Sequence, residues 1–191
     1  MPTLILGLGN PGRQYARTRH NVGWMCLDEL EHRGRFSRER REGPARIREG
    51  AIEGFDVVTA RPQTFMNVSG RAATHLTDKL GIPLRDVVVV HDEADFPIGK
   101  IQVKVRGSAA GHKGVQSLID AWRSSEFARV RIGVGRPDDD GDLVDHVLDT
   151  FLPDERERVA ATVARAADAV VAIMRDGPDQ AMNLYNRAPS G

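Results

Sequence analysis

The stretch that decides the fold is Leu4-Ile5-Leu6-Gly7-Leu8-Gly9-Asn10-Pro11-Gly12. Its apolar run from Leu4 to Leu6 predicts a buried strand, and Gly7 onward predicts the turn that leaves the carboxyl end of that strand. Open α/β sheets bind their ligands at this edge. The sequence therefore predicts an α/β fold with a ligand site close to the turn.

The glycines of this stretch also match the pattern of a dinucleotide-binding loop, in which bare backbone approaches a pyrophosphate at the start of a helix. That loop needs a helix that begins within it. Asn10-Pro11-Gly12 is instead typical of a turn, because Pro11 fixes φ and Gly12 is free to take φ > 0. A nicotinamide enzyme stays open as an alternative, and a fluorescence titration with the dinucleotide would test it.

The composition fits one domain and gives no bulk signal for nucleic acid. The chain has 191 residues, 40% of them hydrophobic, and its 27 basic residues balance its 27 acidic ones. RNA binding would need local patches, and the most basic stretch, Arg33 to Arg48, is predicted to be a solvated face or a phosphate-contacting edge. No leader and no apolar run of membrane-spanning length is found, which predicts a cytoplasmic protein without membrane contact.

Hydrophobic patterning places further elements along the chain. Helices are predicted over Val22 to His32, about Arg71 to Leu80, Val115 to Trp122, and Pro153 to Arg175. Strands are predicted over Arg46 to Glu53, Phe55 to Ala60, Asp86 to Val90, Ile98 to Val105, and Arg129 to Val134. Asp138 to Asp142 is predicted to be a solvated loop. The single cysteine, Cys26, lies on the apolar stripe of its helix, which favours a core residue over a nucleophile.

His20 follows the first turn and is the first candidate for acid/base chemistry, but it needs a partner. The strand Asp86 to Val90 is followed by His91-Asp92-Glu93-Ala94-Asp95, which could be metal ligands, an acid/base set or a capped loop. The metal hypothesis is weak because no second histidine cluster lies at ligand spacing. A carboxylate that orients His20 fits better, and Asp92 is the candidate.

Two more polar segments lie where a strand is followed by a helix. The first is Thr64-Phe65-Met66-Asn67-Val68-Ser69-Gly70, whose apolar members would ordinarily be core and whose Asn67 or Ser69 would ordinarily be a cap. Its position predicts that some of these side chains face the same crevice as His20. The second, Gly107 to Gly114, could cradle an anion with its amides or be a flexible connection; His112 and Lys113 favour the anion.

Five motifs, in their order and spacing, resemble those of bacterial peptidyl-tRNA hydrolase. They are Gly7-Leu8-Gly9-Asn10-Pro11-Gly12, Tyr15-Ala16-Arg17-Thr18-Arg19-His20-Asn21, Thr64 to Gly70, His91 to Asp95, and Gly111-His112-Lys113-Gly114. The resemblance covers essentially the whole chain. It implies a single α/β domain over 1–191, with a core of 1–186 and a flexible tail at 187–191, built as a twisted mixed sheet with helices on both faces. It also implies a monomer that works without a metal or another cofactor.

The same resemblance implies hydrolysis of the ester that joins a peptide to the 3′-terminal ribose of tRNA. It makes His20 the general base for water and Asp92 the residue that orients it. It implies that Asn10 contacts the peptide main chain and helps to distinguish blocked from free aminoacyl groups. Three further side chains would line the substrate site: Tyr15, Phe65 and Asn67.

The resemblance also assigns basic positions. Lys104 and Arg131 match positions that the family uses to hold the terminal phosphate of tRNA. The family's loop usually has Asn after its histidine, where this chain has Lys113; lysine donates but cannot accept, and it adds a charge. We expect Lys113 still to contact the substrate, through the phosphate of the 3′ nucleotide.

A different class of function shares this fold, namely RNA-binding relatives that do not hydrolyse their ligand. A protein that only binds RNA has no physical need for a base and a carboxylate that orients it. The presence of both His20 and Asp92 therefore favours the enzyme.

Overall fold

The computed structural model describes residues 1–138 and 141–187. The predicted tail at 187–191 falls outside the described residues except for Arg187, and so do two residues of the predicted loop Asp138 to Asp142. Among the residues that are described, no helix combines the length and the apolarity needed to cross a bilayer.

The described residues form one sheet of eight strands. The strands are β1 (Thr3–Gly7), β2 (Arg35–Phe36), β3 (Arg40–Glu42), β4 (Ala45–Ile52), β5 (Phe55–Pro62), β6 (Val87–Glu93), β7 (Ile101–Lys104) and β8 (Ala128–Gly133). Their order is β2-β4-β5-β1-β6-β8-β7, with β3 paired to β4. The central strands β5, β1, β6 and β8 run parallel, whereas β4 and β7 pair antiparallel to their neighbours. The prediction of a mixed sheet is confirmed.

Six α-helices are found in the described part of the chain: α1 (Val22–Arg33), α2 (Ser69–Leu80), α3 (Lys113–Trp122), α4 (Leu143–Val147), α5 (Arg156–Asp176) and α6 (Pro178–Tyr185). Helices pack on both faces of the sheet. Successive side chains of a strand point to opposite faces, so each central strand contributes to both cores. Ile5 packs in the core shared with α1 and α5, whereas Leu4 and Leu6 pack in the core shared with α2 and α3. The four predicted helices are confirmed to within a few residues, and α4 and α6 were not predicted.

The strand β6 is longer than the sequence predicted. It continues past Val90 through Glu93, because its last three residues pair with β8 as the earlier ones do. His91, Asp92 and Glu93 are therefore strand residues and not the start of a loop. This placement gives Asp92 a rigid backbone at the carboxyl end of a central strand.

The backbone of helix α1 packs directly against the backbone of β6 at Gly23. Gly23 makes this possible, since a Cβ built on it would lie 2.5 Å from the carbonyl oxygen of Val90. The helix begins ten residues after Gly12, which has φ of 113° and belongs to a turn. No α-helix begins within the glycine stretch Gly7 to Gly12, so the loop lacks the geometry that a dinucleotide site requires.

After Arg33, which ends α1, the basic stretch Arg33 to Arg48 runs through β2, β3 and the start of β4 at an antiparallel edge of the sheet. Several of its guanidinium groups are paired with carboxylates: Arg40 with Glu42 at 2.8 Å and Arg46 with Glu39 at 2.9 Å. These exposed pairs neutralise part of the local charge. The arrangement fits a solvated face, and contact of this edge with phosphate stays a hypothesis.

Candidate active site

A cleft of about 480 Å³ opens at the carboxyl ends of β1, β5 and β6. The parallel direction of these strands brings the segments that follow them to one edge of the sheet. Seven of the residues named from the sequence line this cleft: Asn10, Tyr15, His20, Phe65, Asn67, Asp92 and Lys113.

His20 lies in a single 3₁₀ turn, Arg19–Asn21, immediately before α1. Its Nδ1 lies 2.7 Å from Oδ2 of Asp92. A carboxylate only accepts hydrogen bonds, so Nδ1 carries the proton and Nε2 keeps its lone pair. The side chain of Asp92 is almost fully buried, whereas that of His20 is partly exposed to the cleft. The pair has the geometry of a base and the carboxylate that orients it.

His112 is a second partner of Asp92 that the sequence did not reveal. Its Nε2 lies 2.7 Å from Oδ1 of Asp92. Its Nδ1 accepts hydrogen bonds from the backbone N–H groups of Gly114 and Val115, so His112 caps the amino end of α3. Because Nδ1 is an acceptor, the ring proton is on Nε2 and is donated to Asp92. These two amides are therefore satisfied within the protein and do not serve an anion.

The electrostatics of the pair favour a charged Asp92 and a more basic His20. Burial acts to raise the pKa of the Asp92 carboxyl, but His112 and His20 outweigh it by charge and hydrogen bonding and hold that pKa well below its usual range. Burial acts to lower the pKa of His20, but the carboxylate of Asp92 outweighs it and raises that pKa above its ordinary value. The charge of Lys113 acts in the opposite direction.

His91 is a buried neighbour of Asp92 and His112. Its Nδ1 donates to the carbonyl oxygen of Asp92 at 2.8 Å, and its ring meets the His112 ring edge-on with centroids 4.7 Å apart. Burial, followed by the neighbouring His112, lowers the pKa of His91 well below its ordinary value. His91 is therefore a neutral packing partner of the site and not a proton carrier at neutral pH.

The side-chain oxygen of Asn10 already accepts a hydrogen bond within the protein. Its Oδ1 accepts a hydrogen bond of 2.7 Å from the backbone N–H of Met66. Only the oxygen of the amide can accept, so this contact fixes which way the group points. Nδ2 makes no hydrogen bond to any described residue. Asn10 therefore offers donors to the cleft, while its acceptor is used to hold the segment that contains Met66.

The remaining predicted residues lie on the rim of the cleft. Phe65 is 63% exposed, contrary to the ordinary expectation for an aromatic side chain, whereas Met66 is buried as expected. Asn67 is exposed and caps no helix, since Val68 is at the amino end of α2 without a side-chain cap. The opposite wall is apolar and comes from α4, through Leu143, Val144, Val147 and Leu148. The sequence missed this wall because it missed α4.

Lys104 and Arg131 lie beside the cleft and do not line it. Lys104 is in register with Arg129 across β7 and β8, and Arg131 pairs with Glu93, a cleft residue, at 2.9 Å. Burial, followed by the charges of Arg131 and Arg129, lowers the pKa of Lys104. We call Lys104 and Arg131 the β7–β8 cationic patch. Arg129 is not part of it, because its side chain is buried and its guanidinium donates to the backbone carbonyls of Gly107, Ser108 and Ser125. The net positive charge of the patch suits an anionic ligand.

The atoms of His20, Asp92 and His112 that could bind a metal lie within 4.8 Å of one another. Their hydrogen bonds do not suit ligation. A metal would need the lone pair of His112 Nε2, but the amides at the start of α3 keep the ring proton on that atom. Each oxygen of Asp92 also already accepts a hydrogen bond from a histidine. The cluster is better suited to orienting a base than to holding an ion.

Cys26 lies in the core, as predicted. Its side chain is fully buried, and burial raises the pKa of the thiol to about 12. The thiolate that a nucleophile would require is therefore not formed at neutral pH.

Comparisons with known proteins assign the chain to one family. A family profile described as Peptidyl-tRNA hydrolase matches residues 4–190. The chain is 44% identical over 183 residues to a peptidyl-tRNA hydrolase of Caldanaerobacter subterraneus subsp. tengcongensis, covering 96% of this chain and 98% of that protein. It is 42% identical over 184 residues to one of Chloroflexus aurantiacus, with the same coverage. The crystal structure of peptidyl-tRNA hydrolase from Acinetobacter baumannii, 31% identical, matches 98% of this chain and 95% of that one with a TM-score of 0.90.

Proposed function

The chain belongs to the peptidyl-tRNA hydrolase family, and from this premise we propose that His20 activates the water of hydrolysis and that Asp92 orients His20. The activity of the family is cleavage of the ester between a peptide, or an N-blocked amino acid, and the 3′ end of tRNA, which recycles tRNA from prematurely released chains. The single observation that carries the proposal is the 2.7 Å contact between His20 Nδ1 and Asp92 Oδ2. The alternative of an RNA-binding relative without turnover is not favoured.

The chemistry follows from the proton on His20 Nδ1. Water attacks the ester carbonyl while Nε2 of His20 takes its proton, and the tetrahedral intermediate then expels the 3′ oxygen of the ribose, which receives that proton from Nε2. Asp92 keeps the ring in the required tautomer and stabilises the imidazolium that forms. The donors of His112 and His20 keep Asp92 ionised throughout.

The direct test is release of an N-acetylated amino acid from its tRNA by the purified protein, in the presence of a chelator. The same tRNA carrying a free amino acid is the comparison. Rapid cleavage of the blocked substrate alone is the expected result. Binding of tRNA without cleavage would contradict the assignment of His20 and Asp92.

We assign the recognition of the blocked amino group to Asn10. Its free Nδ2 can donate to the carbonyl oxygen that a peptide or acyl group places next to the α-nitrogen. A free aminoacyl group lacks this carbonyl. Its ammonium group can only donate hydrogen bonds, and it would face Nδ2 of Asn10, which is also a donor. Tyr15, Phe65 and Asn67 are proposed to line the path of the substrate around it.

Asn10→Asp is expected to reduce the preference for the blocked substrate. The carboxylate still accepts from the Met66 N–H, so the local fold is kept, but the donor is replaced by a group that attracts an ammonium. kcat/KM for the N-acetylated substrate should fall about 10- to 100-fold, the cost of leaving the acyl carbonyl oxygen in the cleft without its donor. The free aminoacyl substrate should lose less, and steady-state kinetics on both substrates measure the ratio.

Asn67→Asp is the control for this substitution, because it adds the same charge to the rim and leaves the hydrogen bond from the Met66 N–H to Asn10 in place. It is expected to affect the two substrates alike. A preference that survives Asn10→Asp intact would show that another group recognises the blocked amine.

We assign the phosphates of the tRNA end to Lys113 and to the β7–β8 cationic patch. Lys113 is exposed at the first position of α3 and lines the cleft close to His20. Lys104 and Arg131 supply positive charge a short way beyond Glu93. These groups give a chain of net charge zero the local charge that RNA binding requires.

Lys113→Asn is expected to weaken tRNA binding and to reduce the slope of log Kd against log salt by about 0.7, the value for one phosphate contact of a single strand. Because the charge of Lys113 lowers the pKa of His20, its removal should also move the acid limb of kcat/KM to higher pH. Lys104→Gln is the comparison: it should change the salt slope but leave the pH profile in place. Unchanged affinity and salt dependence in Lys113→Asn would exclude a phosphate contact.

We further propose that the protein acts as a monomer in the cytoplasm. The monomeric state is carried over from the resemblance to the family, and the location from the tRNA substrate of the family, which is a cytoplasmic molecule.

A further inference from the structure

Asn21 is a fully buried amide whose hydrogen bonds are directed at one residue. Its Oδ1 accepts from the backbone N–H of Asn10, and its Nδ2 donates to the backbone carbonyl of Asn10, both at 2.9 Å. The two residues are eleven positions apart in the chain. A side chain that pairs with both main-chain groups of one residue fixes that residue as a neighbouring strand would.

This use of the side chain departs from the local role of an asparagine. Asn21 is the residue that precedes α1, a position where asparagine commonly caps the helix with its own oxygen. Here the side chain makes no capping bond. The side chain of Asn21 therefore makes a long-range contact with Asn10 in place of the local capping bond. Such departures from local preference tend to occur at functional sites.

Asn10 is consequently held at three points. Asn21 binds its backbone N–H and its carbonyl, and the Met66 N–H binds its Oδ1. Only Nδ2 is left to meet a substrate. The side chain of Asn21 also packs directly against the backbone of Gly9, since a Cβ built on Gly9 would lie 3.0 Å from Cγ of Asn21.

We propose that Asn21 is a positioning residue that fixes the donor of Asn10 relative to the base His20. Asn21 directly follows His20 in the chain, so one short segment carries the base and, through the amide of Asn21, holds the backbone of the donor. The inference rests on the role proposed above for Asn10. A displacement of about 1 Å between such groups can cost about 100-fold in rate.

The test is a double-mutant cycle between Asn21→Ser and Asn10→Ala in the full-length chain. kcat/KM is measured for N-acetyl-aminoacyl-tRNA and for aminoacyl-tRNA with a free amine. Asn21→Ser alone is expected to lower kcat/KM for the blocked substrate about 10- to 100-fold and to lower the ratio between the two substrates. In the Asn10→Ala background the same change should have little further effect on that ratio, because there is no Nδ2 left to position.

Asn186→Ser is the matched control. Asn186 makes the same pair of contacts to the main chain of Val103, at 2.7 and 3.0 Å, and does not line the cleft. Its substitution removes equivalent hydrogen bonds and should leave the ratio between the two substrates unchanged. Thermal melting of each variant reports whether it is folded.

The outcomes separate this inference from the role of Asn10. If Asn10→Ala leaves the ratio unchanged, the role of Asn10 is wrong; if Asn10→Ala lowers it and Asn21→Ser does not, only the present inference is wrong. An equal loss from Asn21→Ser in both backgrounds would also overturn it. Should Asn21→Ser not fold, Asn21→Asp, which keeps the acceptor for the Asn10 N–H, enters the same cycle.

Hydrogen exchange of the Asn10 amide in the unmodified protein gives a measurement that needs no variant. We expect this amide to be protected to the degree of the central strands, because it donates to a fully buried acceptor. Exchange at the rate of an exposed loop would contradict the inference.

Discussion

His20→Ala is expected to lower kcat by about 10²- to 10⁴-fold, the range typical of general base catalysis. The affinity for tRNA should be kept, because the phosphate contacts proposed for Lys104, Arg131 and Lys113 do not involve the imidazole. A loss confined to kcat is what removal of a group that acts only in the transition state produces.

The measurement is single-turnover cleavage of N-acetyl-aminoacyl-tRNA together with the Kd for the uncharged tRNA. His75→Ala is the control, because His75 is a surface histidine of α2 that pairs with Glu42 away from the cleft. It should keep both rate and affinity. A fall in affinity that matches the fall in rate would make His20 a structural residue.

Asp92→Asn is expected to be the second most damaging change, with a loss of kcat of about 10²-fold that stays smaller than the loss in His20→Ala. His20 and His112 each donate a hydrogen bond to this side chain, one to each oxygen. An amide has only one oxygen, so its NH₂ group must face one of the two donors. The base remains present in this variant but is no longer held in place.

The same substitution should shift the pH profile in a defined direction. The carboxylate of Asp92 raises the pKa of His20, and burial acts to lower it. Without the charge, burial dominates and the pKa of His20 falls, so a larger fraction of His20 is neutral in acid. The acid limb of kcat/KM should therefore move to lower pH while the plateau rate drops. A limb that stays in place would exclude Asp92 as the partner that sets the basicity of His20.

The longer strands and the four main helices could be predicted from the sequence because their signals are local. Buried strands such as β1 and β6 are short apolar runs. Acidic residues precede α5, and Gly177 follows its last residue. The same logic failed at α6, where Gly177-Pro178 indicated an end. Gly177 does end α5, but Pro178 is the first residue of the next helix, a position that favours proline. The five residues of α4 are too few to show a period.

The site was predictable only in part. His20 follows a turn and Asp92 lies in a central strand, and the structure brings both into one cleft with the other five residues of the predicted set. Their roles stay predictions. The contacts of His112 with Asp92 and of Asn21 with Asn10 had no local signature, since they join residues 20 and 11 positions apart. They depend on how closely α1 and α3 approach the sheet, which tertiary packing decides.

The measurement that tests the central claim most directly is an NMR titration of the His20 ring, compared with the acid limb of kcat/KM, which reports the essential groups of the free enzyme. The account predicts one midpoint for both, above the ordinary value of about 6.5 for histidine, and a joint shift to lower pH in Asp92→Asn. A kinetic midpoint that differs from the His20 titration, or that does not move with it, would contradict the assignment of His20 as the base.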